Sequence, residues 1–141
     1  MRVYLVQHGE AEQNDPERHL TDKGVSDVEK VADQVFEKIT AKKIVHSGKA
    51  RAKQTADIIS KRTGIPAEEA EGLRPMDDPS VWAEKIEEDV MLVGHLPHLS
   101  LLASKLINSE KKIVDFQMGC IVCLEKEEGW SVHWMVTPEI L

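Results

Sequence analysis

The sequence predicts a three-layer α/β/α fold on a mostly parallel sheet, with an antiparallel hairpin at the C-terminal end. Three observations lead there. Short apolar runs of strand length alternate with longer stretches whose apolar residues recur at helical spacing. Each of the first three strand-like runs passes through a Gly, His or Ser before a polar segment or a helix start. The last two runs are joined only by Glu127-Glu128-Gly129, a turn too short for a helical crossover. With 141 residues, the chain has the size of one domain, so residues 1–141 are expected to enclose one core.

Taken in order, "MRVYLVQ" reads as a buried first strand. Thr21 then stands as an N-cap before Val25, Val28, Ala32, Val35, Phe36 and Ile39, which share a helical face. "KKIVHS" is a second short strand. The following helix, in "GKARAKQTADIISKRTG", turns Ala52, Ala56 and Ile59 inward and stops at Gly64, with Pro66 beyond. A looser segment follows, with a helix expected in "PSVWAEKIEE". "DVMLVGH" is a third buried strand, and Pro97 suits the first turn of the helix in "LPHLSLLASKLI". "MGCIVCLEKEEGWSVHWMV" closes the chain as a hairpin.

Composition narrows the function. The chain is 41% apolar and 30% charged, as in folded globular domains. A net charge of −7 and a pI near 5.4 argue against a nucleic-acid binder. No apolar run approaches the roughly 20 residues that span a bilayer. The opening segment turns polar too soon for a signal peptide, so no membrane association and a cytoplasmic location are expected. Cys120 and Cys123 form a C-x-x-C, but in a strand residues three apart face opposite ways, so they read as two ordinary thiols.

In open parallel sheets ligands bind beyond the carboxyl ends of the strands. His8-Gly9 follows the first strand, Ser47 and Arg51 the second, and Gly94-His95 the third. Arginine in a first helical turn opposes the helix dipole, which makes Arg51 a candidate for an anion contact. Arg18 precedes the first helix. Two imidazoles, two guanidiniums and helix N-termini together suit a phosphoryl group, whose oxygens match arginine forks and free backbone N–H groups.

Four segments, "LVQHGEAE", "RHLTDKG", "HSGKARAKQTA" and "LVGHLPHLS", resemble the histidine phosphatase superfamily in content and order, and most resemble its compact SixA-type phosphohistidine phosphatase branch. The resemblance runs from Met1 to about Ser100 and implies one histidine phosphatase-like domain over 1–141. It implies His8 as nucleophile, through a phosphohistidine intermediate that water hydrolyses. Arg51 and His95 would hold the non-bridging oxygens as catalytic partners. Gln7, Gly9, Arg18, Ser47 and His98 would complete the phosphate site, with His98 at its rim. No metal and no cofactor are implied; a zinc site of His8, His95 and His98 would be repelled by the neighbouring arginines. His46 and His133 read as structural, and His19 as solvated.

Two departures matter. The family's first motif is normally Arg-His-Gly, whereas here Gln7 precedes His8, bringing hydrogen bonds but no charge. Nor is there a clear acid for a leaving alkoxide: Asp77, Asp78 and Glu84 read as solvated carboxylates. Phosphohistidine leaves as a neutral imidazole and needs that acid less. The expected substrate is therefore a phosphorylated protein, such as a histidine phosphotransfer domain. A small phosphorylated substrate hydrolysed as a monoester, and a weakly active or non-catalytic phosphate-binding module, are the alternatives.

Overall fold

The computed structural model describes residues 1–141. Six strands form one sheet: β1 (Arg2–Gln7), β2 (Ile44–His46), β3 (Ala67–Glu69), β4 (Val90–Gly94), β5 (Ile121–Lys126) and β6 (Trp130–Val136). The helices are α1 (Asp22–Val35), α2 (Ala50–Thr63), α3 (Ser80–Ala83) and α4 (His98–Ile107). None is long and apolar enough to cross a membrane.

Alternation along β1 sorts the core into two halves. Val3 and Leu5 join the apolar cluster beneath α3 and α4, with Trp82, Leu99 and Leu102. Tyr4 and Val6 join the cluster beneath α1 and α2, with Val28, Ala32, Ala52, Ala56 and Ile59. A strand buried on both faces reads as an unbroken apolar run, which is why "VYLV" carries no polar alternation. The same period of two sends Cys120 into the first cluster and Cys123 into the second. Burial pushes both thiols up to about 11, so they remain protonated at neutral pH.

The strand order is β3-β2-β4-β1-β5-β6. β1, β2, β3 and β4 run parallel, while β5 is antiparallel to β1 and β6 to β5. This is the mostly parallel sheet with a terminal hairpin that the sequence predicts. Its consequence for function is register. Gln7 pairs with Gly94 and His46 with Val93, so the carboxyl ends of β2, β4 and β1 lie side by side.

Two elements differ from expectation. β3 is an additional edge strand whose "AEE" offers no apolar run; it forms because its backbone completes the ladder with β2. The helix expected across "PSVWAEKIEE" shrinks to one turn, Ser80–Ala83. Trp82 is buried there and its indole N–H donates to the Glu71 carbonyl at 2.8 Å, tying the turn to the preceding loop. Downstream, Asp89 accepts from the Arg2 amide at 2.8 Å and the Thr40 hydroxyl at 2.6 Å, which commits the chain to enter β4.

Candidate active site

The sheet brings His8 and His95 together as neighbours in register. The His8 amide continues the β1–β4 ladder by donating to the Gly94 carbonyl at 3.1 Å. Their ring centroids are 5.1 Å apart and the planes are inclined by 54°, so the rings converge without stacking. That spacing lets one phosphoryl group touch both.

His8 Nδ1 lies 2.7 Å from the Gly9 carbonyl. A carbonyl only accepts, so Nδ1 carries the proton and Nε2 keeps its lone pair. Burial lowers the His8 pKa to about 4, with Arg51 and Arg18 adding to the depression. The imidazole is therefore neutral at physiological pH. His95 is depressed to about 3, again first by burial and then by the charges of its neighbours. Its Nε2 lies 2.6 Å from the Ser47 hydroxyl, and its buried Nδ1 has no partner.

Arg18 and Arg51 supply the positive charge. Arg51 enters from the first turn of α2, whose N-cap is Lys49. Burial and the charge of Arg18 lower its pKa, which places the two guanidiniums in each other's field. Arg18 donates Nε–H to the Glu12 carbonyl at 3.4 Å, Arg51 leaves its buried Nε unpaired, and neither forms a salt bridge with a carboxylate. Two like charges held together without counter-ions in an acidic protein call for an anion.

Arg18 sits at φ +54, a left-handed backbone that arginine rarely adopts. The loop around it is cinched by Asp15. That carboxylate accepts from the Glu17 amide at 3.0 Å, the His19 amide at 3.0 Å and the His19 ring at 2.6 Å. These bonds draw Asp15 down to about 2 and raise His19. His19 is thus not merely solvated: it bridges Asp15 and Glu17 and holds Arg18 in place.

Several roles differ from the sequence reading. Gly9 has no room for a Cβ because α1 fills the space, with Val28 Cγ2 at 2.9 Å and the Gly24 carbonyl at 3.1 Å; close helix packing requires this glycine. Ser47 spends its hydroxyl on His95. His98 does not line a rim: it is fully buried at the start of α4, and neither ring nitrogen has a partner. The hydrophobic run after it pulls the helix, and the imidazole with it, beneath the surface. His46 is structural with a specific task, accepting from the Gly48 amide at 3.1 Å to shape the turn that carries Ser47. His133 is half-exposed near Glu125. Gln7 is buried and its Oε1 is unpaired, so the amide retains unused hydrogen-bonding capacity beside the cluster.

Other supporting residues escaped sequence reasoning. In "RAKQTA", Gln54 accepts from the Leu20 amide at 2.7 Å and Thr55 from the Gly9 amide at 3.1 Å. Thr55, fully buried, also donates to the Arg51 carbonyl at 2.8 Å. One helical turn of α2 therefore fixes both loops that carry the cluster. In "TDKG", Thr21 caps α1 by accepting from the Gly24 amide at 2.9 Å and donates to Glu10 at 2.7 Å. A Cβ on Gly24 would stand 2.2 Å from the Glu10 carbonyl oxygen. Both signals were present as Thr and Gly inside motifs, but their partners are distant in sequence.

The family model of the histidine phosphatase superfamily (branch 1) matches residues 3–91. No curated protein sequence matches the chain. Among solved structures, the protein histidine phosphatase SixA complexed with tungstate superposes with a TM-score of 0.90 at 22% identity, covering 99% of both chains. A mycobacterial glucosyl-3-phosphoglycerate phosphatase follows at 0.74 and 16%, covering 93% of this chain and 96% of that one. The alpha-ribazole phosphatase from Shigella flexneri gives 0.75 and 15%, covering 98% and 97%. At these identities the likeness is one of fold.

Proposed function

Because this chain belongs to the histidine phosphatase superfamily (branch 1), we propose that it is a phosphatase of the SixA type, acting through a histidine nucleophile on phosphohistidine in a protein. The observation that carries the reading is the His8 Nδ1–H bond to the Gly9 carbonyl at 2.7 Å, which leaves a neutral Nε2 lone pair in the field of two guanidiniums that form no salt bridge.

In the first step His8 Nε2 attacks phosphorus in line. The P–N bond to the substrate breaks, its electron pair returns to the departing ring nitrogen, and the leaving imidazole, protonated on its other nitrogen, departs neutral. In the second step water attacks the phosphohistidine, the Nε2–P bond breaks, and inorganic phosphate is released with the water proton retained on the products. Arg18 and Arg51 hold the equatorial oxygens, where charge accumulates in the transition state. The 2.6 Å bond between His95 Nε2 and the Ser47 hydroxyl holds this second imidazole beside His8, against the phosphoryl group. Gln7 contributes its amide where the family usually has a guanidinium.

The preference for phosphohistidine over an ester rests on the leaving group. Asp78 is held below the usual carboxylate range by the Ser80 amide and is poorly suited to donate a proton at neutral pH. An imidazole leaving group dispenses with that donor.

The test is mass spectrometry of the wild type and His8→Ala after exposure to phosphoramidate. An acid-labile phosphoryl adduct on His8, missing in the variant, supports the reading. Phosphate binding without any adduct identifies a non-catalytic module, and faster turnover of p-nitrophenyl phosphate than of a phosphohistidine protein identifies a monoesterase.

A further inference from the structure

Ser47, which holds His95, also lines a cavity of about 370 Å³ walled by the end of β3, the loop after it and α3. The charged side chains in its wall are Glu69, Glu71, Asp77 and Asp78 against the single Arg74. None of the five forms a salt bridge. Asp77 and Asp78 accept from the Arg74 and Ser80 amides, each at 2.9 Å, while the Glu69 and Glu71 carboxylates make no hydrogen bond. Negative charge therefore outweighs positive in the cavity, and through Ser47 it adjoins a cluster where positive charge is unopposed. The site is bipolar.

A second observation points to a ligand on this side. His98 is completely buried with both ring nitrogens unpaired. Its polar surroundings are the Gly72 backbone, Asp77 and Asp78, all of them residues of the cavity wall. The Gly72 backbone can satisfy one ring nitrogen at most, and a fully buried imidazole with a position left over is costly unless a partner completes it.

We infer that this cavity receives the leaving-group side of the substrate and selects phosphoramidates whose leaving side carries positive charge, as in phosphohistidine flanked by lysine or arginine. The inference rests on the phosphatase reading above and adds the substrate's charge pattern to it. The phosphoryl anion meets Arg18 and Arg51, while the protonated ring and its basic neighbours meet Glu69, Glu71, Asp77 and Asp78. The P–N bond weakens when the ring is protonated on the nitrogen that does not carry phosphorus, and a negative wall favours that cationic form. A nucleotide or bisphosphate would set its remaining negative charge against the same wall and be rejected.

The experiment compares two phosphohistidine peptides, identical except for lysines or glutamates beside the phosphohistidine, together with free phosphohistidine. kcat/KM is measured at low and high salt for the wild type and for the Glu69→Gln/Glu71→Gln double variant, whose replaced carboxylates make no hydrogen bond in the fold. The wild type should prefer the lysine peptide by roughly tenfold at low salt, with free phosphohistidine between the two, and the preference should shrink as salt rises. In the double variant it should fall to about twofold. Equal turnover of both peptides, or a preference that survives the double substitution, overturns the inference. Labelling of His8 by phosphoramidate in the same preparations separates the two readings. Label without charge preference removes only the cavity's role, whereas no label and no turnover removes both.

Discussion

Thr55→Val tests how the nucleophile is held. Valine nearly matches threonine in shape but cannot accept the Gly9 N–H, which Thr55 Oγ1 receives at 3.1 Å in a fully buried position. The Arg51 carbonyl loses the 2.8 Å threonine bond but keeps its place at the start of a helix. The main loss is therefore one buried donor left without a partner, costing about 2 kcal/mol within the usual 1–3 kcal/mol range. The same residue, Gly9, carries on its next peptide the carbonyl that orients His8 at 2.7 Å, so relaxation of its amide reaches the nucleophile. If the whole cost reached the transition state, kcat would fall by about thirtyfold. The assay is steady-state hydrolysis of p-nitrophenyl phosphate alongside thermal unfolding. kcat should drop more than KM changes, and Thr55→Ser should recover most of the loss. A valine variant that unfolds at lower temperature while keeping wild-type kcat would show that Thr55 supports the fold alone, and would refute the reasoning.

Other measurements follow from the same geometry. Gln7→Arg exchanges a neutral hydrogen bond for a charge-assisted one and should raise kcat/KM about tenfold; unchanged or lower activity would mean the pocket is tuned to glutamine. The neutral His8 ring should give kcat/KM an acid limb near pH 4, and NMR titration of the imidazole should place the same transition. Because the folded values of His8 and His95, about 4 and about 3, lie below the ordinary 6.5, the unfolded chain takes up protons first. Stability should then decline as pH falls from about 6.5 toward 4, and His8→Asn should flatten part of that slope. Gly24→Ala, with its Cβ 2.2 Å from the Glu10 carbonyl oxygen, should cost about 3 kcal/mol and lower Tm by roughly 10 °C.

Much of this was legible because it depends on local pattern. The unbroken run "VYLV" announces a strand covered on both faces, and the strand period alone separates Cys120 from Cys123. The strand ends named His8, Ser47 and His95 as candidates. Their adjacency was not legible, because strand order and register are long-range: only the pairing of Gln7 with Gly94 and His46 with Val93 brings them together. β3 was hidden since an edge strand of alanine and glutamates is defined by its neighbour's free backbone groups. Thr55 and Gln54 looked like helix-surface polar residues until the loops they hold were folded against them. His98 misled because proximity to a functional motif was read as proximity to solvent, while the apolar face of α4 drew it inward.

The two histidines stand one residue beyond the last paired rung of neighbouring parallel strands, so the register of β1 on β4 brings them side by side. Closure of a lid is not needed to create the pair. The pair should therefore act as a gauge of the sheet. In a denaturant titration, loss of phosphotransfer to His8 should coincide with global unfolding of β1 and β4 instead of preceding it.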